Sequence, residues 1–170
     1  MRLWHESLLP LLPKSQLLGQ HRECCALRGL GWGRPHSTVN YVFDHPYEYL
    51  YIYHLKVLRE MLNRGYEPHP AWYRMTYRGA KAPHIIYYSK ENEESFRALV
   101  LDWVDFPEGY YKPNPDLSIV ELAKPEVLVY PEHNDQYLRE CLDNLSRKGI
   151  HLEVYHGKVE EASLREGLSG

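Results

Sequence analysis

The feature that most constrains this chain is a helical pattern of apolar residues between Pro46 and Gly65. Apolar side chains recur there at the i, i+4, i+7, i+8 spacing that places them on one face of an α-helix. They are Leu50, Val57, Leu58, Met61 and Leu62, with His54 in the same row. Pro46 suits a first helical turn, and Gly65 suits the position after the last one. Because such a helix must bury its apolar face, the pattern predicts a core of packed helices.

Two further segments carry helical signals. Ser15 is a favoured helix cap, and the helix that it starts is predicted to run to about Arg28, before the glycines of a basic connector. A last helix is predicted for residues 135–148, ended by Gly149, and it leads into the alternating stretch IHLEVYHGK. These segments favour a mainly α fold.

The middle of the chain has a different pattern. A helix is predicted at about residues 92–103, followed by an irregular part rich in proline and glycine, with short strands at 118–122 and 126–130. With 170 residues, 44% of them hydrophobic, the chain is long enough for one substantial core and too short for two large domains. We therefore expect a compact, mainly α single domain with an irregular Pro-rich segment and short strands in its second half.

Charge is distributed unevenly along the chain. Residues 1–90 carry twelve Lys or Arg against six Asp or Glu, whereas residues 91–170 carry eight against seventeen. This asymmetry favours a basic, nucleic-acid-binding face in the first half. The acidic second half fits a protein partner.

Cysteines and apolar runs limit the class of protein. Three cysteines, with Cys24 and Cys25 adjacent, cannot form an even disulfide framework, which favours a reduced, cytoplasmic protein. Because Pro10 and Pro13 interrupt the N-terminal leucines and no run approaches 18 apolar residues, we expect neither a membrane span nor a signal peptide. The histidines and cysteines lack the short spacings of metal sites, so neither a metal nor another cofactor is expected.

The pair Arg22-Glu23 lies in the first predicted long helix. It shares a helix face with the two smallest side chains there, Gly19 and Ala26, while leucines and cysteines occupy the other face. Since Gly19 and Ala26 lie about one turn before and after Glu23, a ligand has room to approach its carboxylate. The alternative is an ordinary solvated Glu on a surface helix.

Six short motifs follow one another along the chain. They are Arg2, Arg22-Glu23, His36-x-Thr38, Arg64-Gly65-Tyr66, YRGAKAPH from Tyr77 to His84, and YHGK from Tyr155 to Lys158. In this order they resemble the pyrimidine-dimer DNA glycosylases, the family typified by the phage endonuclease V enzymes. The resemblance covers residues 1–84 well and implies a single endonuclease V-like glycosylase domain over 1–170, with an insertion at about 85–130.

The resemblance implies a DNA-repair glycosylase with abasic-site lyase activity. Members of the family use the α-amino group of the first mature residue to attack C1′ of a damaged nucleotide, a pyrimidine dimer, forming a Schiff base that leads to β-elimination. Here Met1 takes that position, because the large side chain of Arg2 is expected to block removal of Met1. Glu23 is implied as the general acid/base.

The resemblance also implies contacts with double-stranded damaged DNA. Arg2 and Arg22 would bind the flanking phosphates, and Arg28 would stand in for a family arginine that Ala26 replaces here. His36 either bonds a phosphate or caps the second helix. The remaining predicted DNA contacts are Arg78, Lys81, Tyr155 and Lys158.

Two other functions stay open at this stage. The same fold and amine chemistry would serve another lesion or modified base, which the insertion and Ala26 favour. A non-catalytic module for nucleic acid or protein would keep the fold and lose the chemistry. A lysine such as Lys14 or Lys81 is the alternative nucleophile.

Overall fold

Three α-helices form the described body of the chain. In the computed structural model, the described residues are 2–82, 86–87, 110–111, 122–155 and 158–161, of which 86–87, 110–111, 153–155 and 158–161 are described by their backbone alone. The helices are α1 (Lys14–Arg28), α2 (Tyr47–Asn63) and α3 (Asp135–Arg147), and short 3-10 helices span Glu6–Leu11, Asn40–Asp44 and Pro70–Tyr73. The predicted mainly α fold is confirmed.

Helix α2 is the centre of the core and packs against α1. Of its predicted apolar row, Leu50, Val57, Leu58 and Met61 are buried, whereas Leu62 is exposed. In the described part of the chain, no helix has the length and apolar character needed to span a membrane.

The start of α1 differs from the prediction. The cap residue is Pro13, with no side-chain cap, and Ser15 lies inside the first turn. The carbonyl of Pro13 accepts the amides of Gln16 and Leu17, which starts the helix one residue before Ser15. The predicted ends of the other two helices are confirmed, since Gly65 and Gly149 follow them at positive φ.

Four short strands form two separate pairs. Strand β1 (Ile86–Tyr87) lies parallel to β2 (Tyr110–Tyr111), and β3 (Leu152–Tyr155) forms an antiparallel hairpin with β4 (Lys158–Glu161). The strand predicted at 126–130 is wrong, because those residues form turns and bends. The predicted helix at 92–103 and all of the 118–122 strand except its last residue lie outside the described residues.

Glu6 binds two backbone amides at the end of the segment 126–130, where a strand was predicted. Its buried carboxylate accepts the amides of Val129 and Tyr130 and the ammonium of Lys56, with Lys56 Nζ 2.8 Å from Glu6 Oε1. Burial alone would raise the pKa of Glu6, but interactions with His133 and Lys56 outweigh it and hold that pKa at about 2. These contacts tie the segment before α3 to α2 and the N-terminus.

Candidate functional site

The first residues of the described chain are held by two side chains of α1. The amide of Arg2 donates to Glu23 Oε2 at 2.9 Å. Gln20 binds the same segment from both sides, since its Nε2 donates to the Arg2 carbonyl at 2.9 Å and its Oε1 accepts the Trp4 amide at 2.6 Å. Glu23 and Gln20 thus fix the backbone of the N-terminal segment, residues 2–4, against α1.

Two tyrosines from other helices hold the remaining carbonyls of this segment. The hydroxyl of Tyr53 in α2 lies 2.6 Å from the Trp4 carbonyl, and Tyr137 in α3 donates to the Leu3 carbonyl. Tyr53 is fully buried, so this end of the segment is anchored in the core. All three helices therefore position the N-terminal segment.

A polar pocket of about 320 Å³ opens beside Glu23. It is lined by Arg2, Trp4, Gln16, Gly19, Gln20, Glu23, Thr38, Asn144 and Lys148. Four of these residues, at positions 16, 19, 20 and 23, follow the i, i+3, i+4, i+7 spacing of one stripe along α1. The volume falls at the lower end of the ~300–1,000 Å³ usual for small-molecule sites.

The small residue one turn before Glu23, Gly19, leaves room beside the carboxylate, as the sequence predicted. Gly19 lines the pocket, and a Cβ built on it would have only the Arg22 guanidinium as a near neighbour, at 3.7 Å. Glu23 is half-buried rather than fully solvated. The interpretation of Glu23 as an ordinary surface residue is therefore wrong, because it holds the Arg2 amide and faces a pocket.

Some of the predicted DNA contacts lie on the surface. Arg22, His36 and Lys81 are exposed, and Arg2 lines the pocket with its guanidinium 5.8 Å from the centre of the Tyr137 ring. His36 Nδ1 lies 3.1 Å from the hydroxyl of Thr38, a pocket residue. His36 is not the cap of α2, since that position belongs to Pro46.

The predicted DNA contact of Arg28 is wrong, because this residue is 0% exposed. Its five N–H groups are all used inside the protein, which satisfies every donor of a guanidinium. The acceptors are the Tyr47 hydroxyl, His54 Nδ1 and the carbonyls of Trp72, Arg74 and Tyr77, all between 2.8 and 3.0 Å. Arg28 ties α1 to α2 and to the segment 72–77, and no donor is left for a phosphate.

Arg78 also binds backbone. Its side chain is half-buried and donates to the carbonyls of Arg28 and Gly29 at 2.7 and 2.9 Å. A Cβ on Gly29 would lie 2.8 Å from the Arg78 carbonyl, so only glycine permits this approach. A DNA contact by Arg78 stays a prediction.

Three predicted site residues have no described side chain. Tyr155 and Lys158 face each other in register as the last residue of β3 and the first of β4. Met1, the predicted nucleophile, lies outside the described residues and is bonded to the Arg2 nitrogen. The roles of all three stay predictions.

His21, Cys25 and His54 form a cluster with the donor types of a metal site, their ligand atoms within 4.8 Å of one another. The hydrogen bonds argue against a cation there. Because Arg28 donates to His54 Nδ1, the proton of the neutral ring lies on Nε2, which donates to His21 Nδ1 at 2.8 Å. Burial and the charge of Arg28 lower the pKa of His54 well below its usual value. The cluster fits a neutral hydrogen-bond chain next to a guanidinium.

Gln20, Asn144 and Lys148 line the pocket but were not predicted from the sequence. The stripe on α1 was a usable signal for Gln20, because the glutamine repeats Gln16 one turn later and precedes Glu23 by three residues. Asn144 and Lys148 had no such signal, since they look like any other polar residues of an amphipathic helix.

The fold and the site define a class of small helical protein. In this class the N-terminal segment is held by hydrogen bonds beside a carboxylate that lines a pocket. Residues 1–74 match the model of a family described as pyrimidine dimer DNA glycosylase. This match confirms, over those residues, the resemblance found in the sequence, and the family it identifies is one of DNA-repair glycosylases. Comparisons with curated proteins and with solved structures gave no significant match.

Proposed function

We propose that this protein is a DNA glycosylase with abasic-site lyase activity, in which the α-amino group of Met1 is the nucleophile and Glu23 the general acid/base. The observation that carries the proposal is the 2.9 Å hydrogen bond from the Arg2 amide to Glu23 Oε2 at the edge of the pocket. The amine of Met1 is only three covalent bonds from that Arg2 nitrogen. The amine and the carboxylate can therefore serve one sugar.

The proposed reaction has two stages. The amine lone pair attacks C1′, the C1′–base bond breaks, and the base leaves with the bonding electrons and takes up a proton. The C1′–O4′ bond then breaks, O4′ takes up a proton and the amine loses one, so that the opened sugar carries an imine, which acidifies the C2′ hydrogen. Removal of that hydrogen as a proton expels the 3′ phosphate by β-elimination. Glu23 donates and accepts these protons, a role typically worth about 10²–10⁴ in rate.

The proposed substrate is double-stranded DNA with a damaged nucleotide, a pyrimidine dimer by resemblance. The target must leave the base stack before its C1′ can be reached. Arg2 lines the pocket, and Arg22, His36 and Lys81 are exposed and available to flanking phosphates.

Borohydride trapping tests the nucleophile. Borohydride reduces the imine to a stable amine, so it links protein to DNA covalently. We expect trapping on duplexes with an abasic site or a photodimer but not on undamaged DNA, and peptide mass spectrometry should place the adduct on the amine of Met1. Acetylation of Met1 should abolish trapping, because an amide is not nucleophilic, while DNA binding falls only modestly.

Three outcomes would contradict parts of this proposal. Equal trapping by the free and acetylated proteins would move the nucleophile to a lysine side chain. An adduct on Arg2 after loss of Met1 would shift it by one residue. No trapping on any lesion would leave a non-catalytic binding module.

A further inference from the structure

A second pocket, of about 190 Å³, lies between the 3-10 helix Glu6–Leu11 and the second half of α2. It shares no lining residue with the pocket beside Glu23. The α2 residues at positions 56, 59, 60 and 63 follow the i, i+3, i+4, i+7 spacing of one stripe. The pocket therefore runs along the helix for roughly 10 Å.

The floor of this second pocket is a buried ion pair. The side chains of Glu6 and Lys56 are 3% and 8% exposed, and Lys56 Nζ lies 2.8 Å from Glu6 Oε1. Lys56 also donates to the Val127 carbonyl. An ammonium has three N–H groups, and Lys56 has no other acceptor among the described residues. One buried N–H is thus left for an acceptor atom of a ligand.

The rim of the pocket carries a cation without a carboxylate partner among the described residues. Arg59 is exposed, and it makes one long hydrogen bond, 3.4 Å from Nη2 to the Ala123 carbonyl. Its other N–H groups have no acceptor in the described part of the chain. The rim carboxylate of Glu60 is already held by Arg64, whose Nε lies 2.8 Å from Glu60 Oε1. Since both carboxylates of the lining have their own cations, Arg59 leaves the pocket with an excess positive charge.

The rest of the lining supplies an apolar wall and one amide. Leu9, Pro10 and Pro125 form the wall, and the exposed amide of Asn63 lies one turn beyond Arg59. The volume is below the ~300–1,000 Å³ usual for drug-sized ligands. The pocket therefore suits a ligand of about one ring.

We propose that this second pocket binds a small carboxylic acid with one ring and an oxygen acceptor at the far end. The carboxylate accepts from the Arg59 guanidinium, which is suited to a bidentate contact, and from the amide of Asn63. The ring packs on the apolar wall, and the distal oxygen accepts the remaining N–H of Lys56. This site goes beyond the proposed function and does not depend on it.

An NMR titration of the isotope-labelled full chain with para-hydroxybenzoate tests the site. We expect saturable shifts of the backbone amides around Leu9, Arg59 and Asn63, with the amides of Gly19 and Glu23 unchanged. The matched probe para-hydroxybenzamide has the same shape without the charge, so it should bind about tenfold more weakly. Benzoate lacks the distal oxygen and should also bind more weakly than para-hydroxybenzoate.

A pair of variants tests the cation. Arg59→Gln should weaken binding of para-hydroxybenzoate about tenfold, because it removes the charge that pairs with the carboxylate. The matched control is Arg139→Gln, which removes an exposed arginine of α3 that lines neither pocket and should leave the affinity unchanged. Thermal unfolding of both variants separates a lost contact from lost folding.

Three results would overturn this inference. They are equal affinities for the acid and its amide, equal affinities of Arg59→Gln and Arg139→Gln for the acid, and shifts that fail to saturate or that map to the pocket beside Glu23. None of them bears on imine trapping by the wild-type protein, which tests the proposed function separately.

Discussion

At the scale of single residues, Glu23 both holds the N-terminal segment and is placed to act on a ligand in the pocket. Its carboxylate holds the Arg2 amide and lines the pocket. In Glu23→Gln the amide oxygen still accepts from Arg2, so the N-terminal segment should stay in place. We expect base excision to fall by at least about 10²-fold, the lower end of a general acid/base contribution, with DNA affinity nearly unchanged.

Single-turnover excision assays and equilibrium binding to an uncleavable duplex would measure this. The control is Glu67→Gln, an exposed residue that does not line the pocket. Excision by Glu23→Gln within about tenfold of wild type would remove Glu23 from the chemistry.

Two arginines of α1 should behave in opposite ways when replaced by methionine. Arg28→Met leaves three carbonyls and His54 without their donor in the interior, so the free energy of unfolding should fall by about 3–5 kcal/mol. Arg22→Met is an exposed change that should alter it by no more than about 0.5 kcal/mol while weakening DNA binding. Urea denaturation and salt-dependent binding test both, and equal stability of the two variants would contradict the structural role of Arg28.

The difference between these arginines shows which roles of single residues can be predicted from the sequence. The room for a ligand beside Glu23 was predictable, because its small neighbours lie about one turn away in the same helix. Arg28 was not, since its backbone acceptors lie 44 to 49 residues away in the chain. No local pattern reports such partners.

At the scale of elements, the α1 stripe leaves room for a ligand at Gly19. Gly19→Ala should stabilise the protein by about 0.5–1 kcal/mol, because alanine is the better helix former and its Cβ meets nothing closer than 3.7 Å. Gly19→Leu places a branched side chain in the pocket and should abolish imine trapping. Thermal unfolding and trapping on abasic DNA measure the two effects, and normal trapping by Gly19→Leu would mean that the substrate binds elsewhere.

The elements themselves were unevenly predictable. The apolar spacing of α2 was sufficient to place it, and glycines placed the ends of α2 and α3. Residues 126–130 look like a strand locally, yet the Glu6 carboxylate, more than 120 residues earlier, accepts the amides of Val129 and Tyr130. A distant side chain outweighed the local preference.

At the scale of the whole molecule, Glu6 joins the two halves of the chain. Its pKa is about 2 in the folded protein and near 4.5 when unfolded, so its stabilisation is complete above about pH 5 and is lost as the pH falls towards 2. The loss should be roughly 2 kcal/mol at pH 3 and should reach roughly 3 kcal/mol only well below pH 2. Urea denaturation at pH 7 and pH 3 would measure it.

The matched variant is the double replacement Glu6→Gln with Lys56→Met, which avoids an unpaired buried ammonium. It should be less sensitive to acid between these two pH values than wild type. An unchanged acid dependence would assign the effect to other carboxylates.

The hydrogen bonds of Glu23, Gln20, Tyr53 and Tyr137 reach only the main chain of the N-terminal segment, whose Leu3 and Trp4 side chains pack in the core. These hydrogen bonds do not depend on which residues precede Arg2. The number of preceding residues, however, sets how far the chain start lies from Glu23. Each residue added ahead of Arg2 would move the chain start up to about 3.3–3.6 Å farther from Glu23 while leaving every hydrogen bond intact. If the amine of Met1 is the nucleophile, as proposed, a protein with an N-terminal tag should fold and bind DNA yet form no imine.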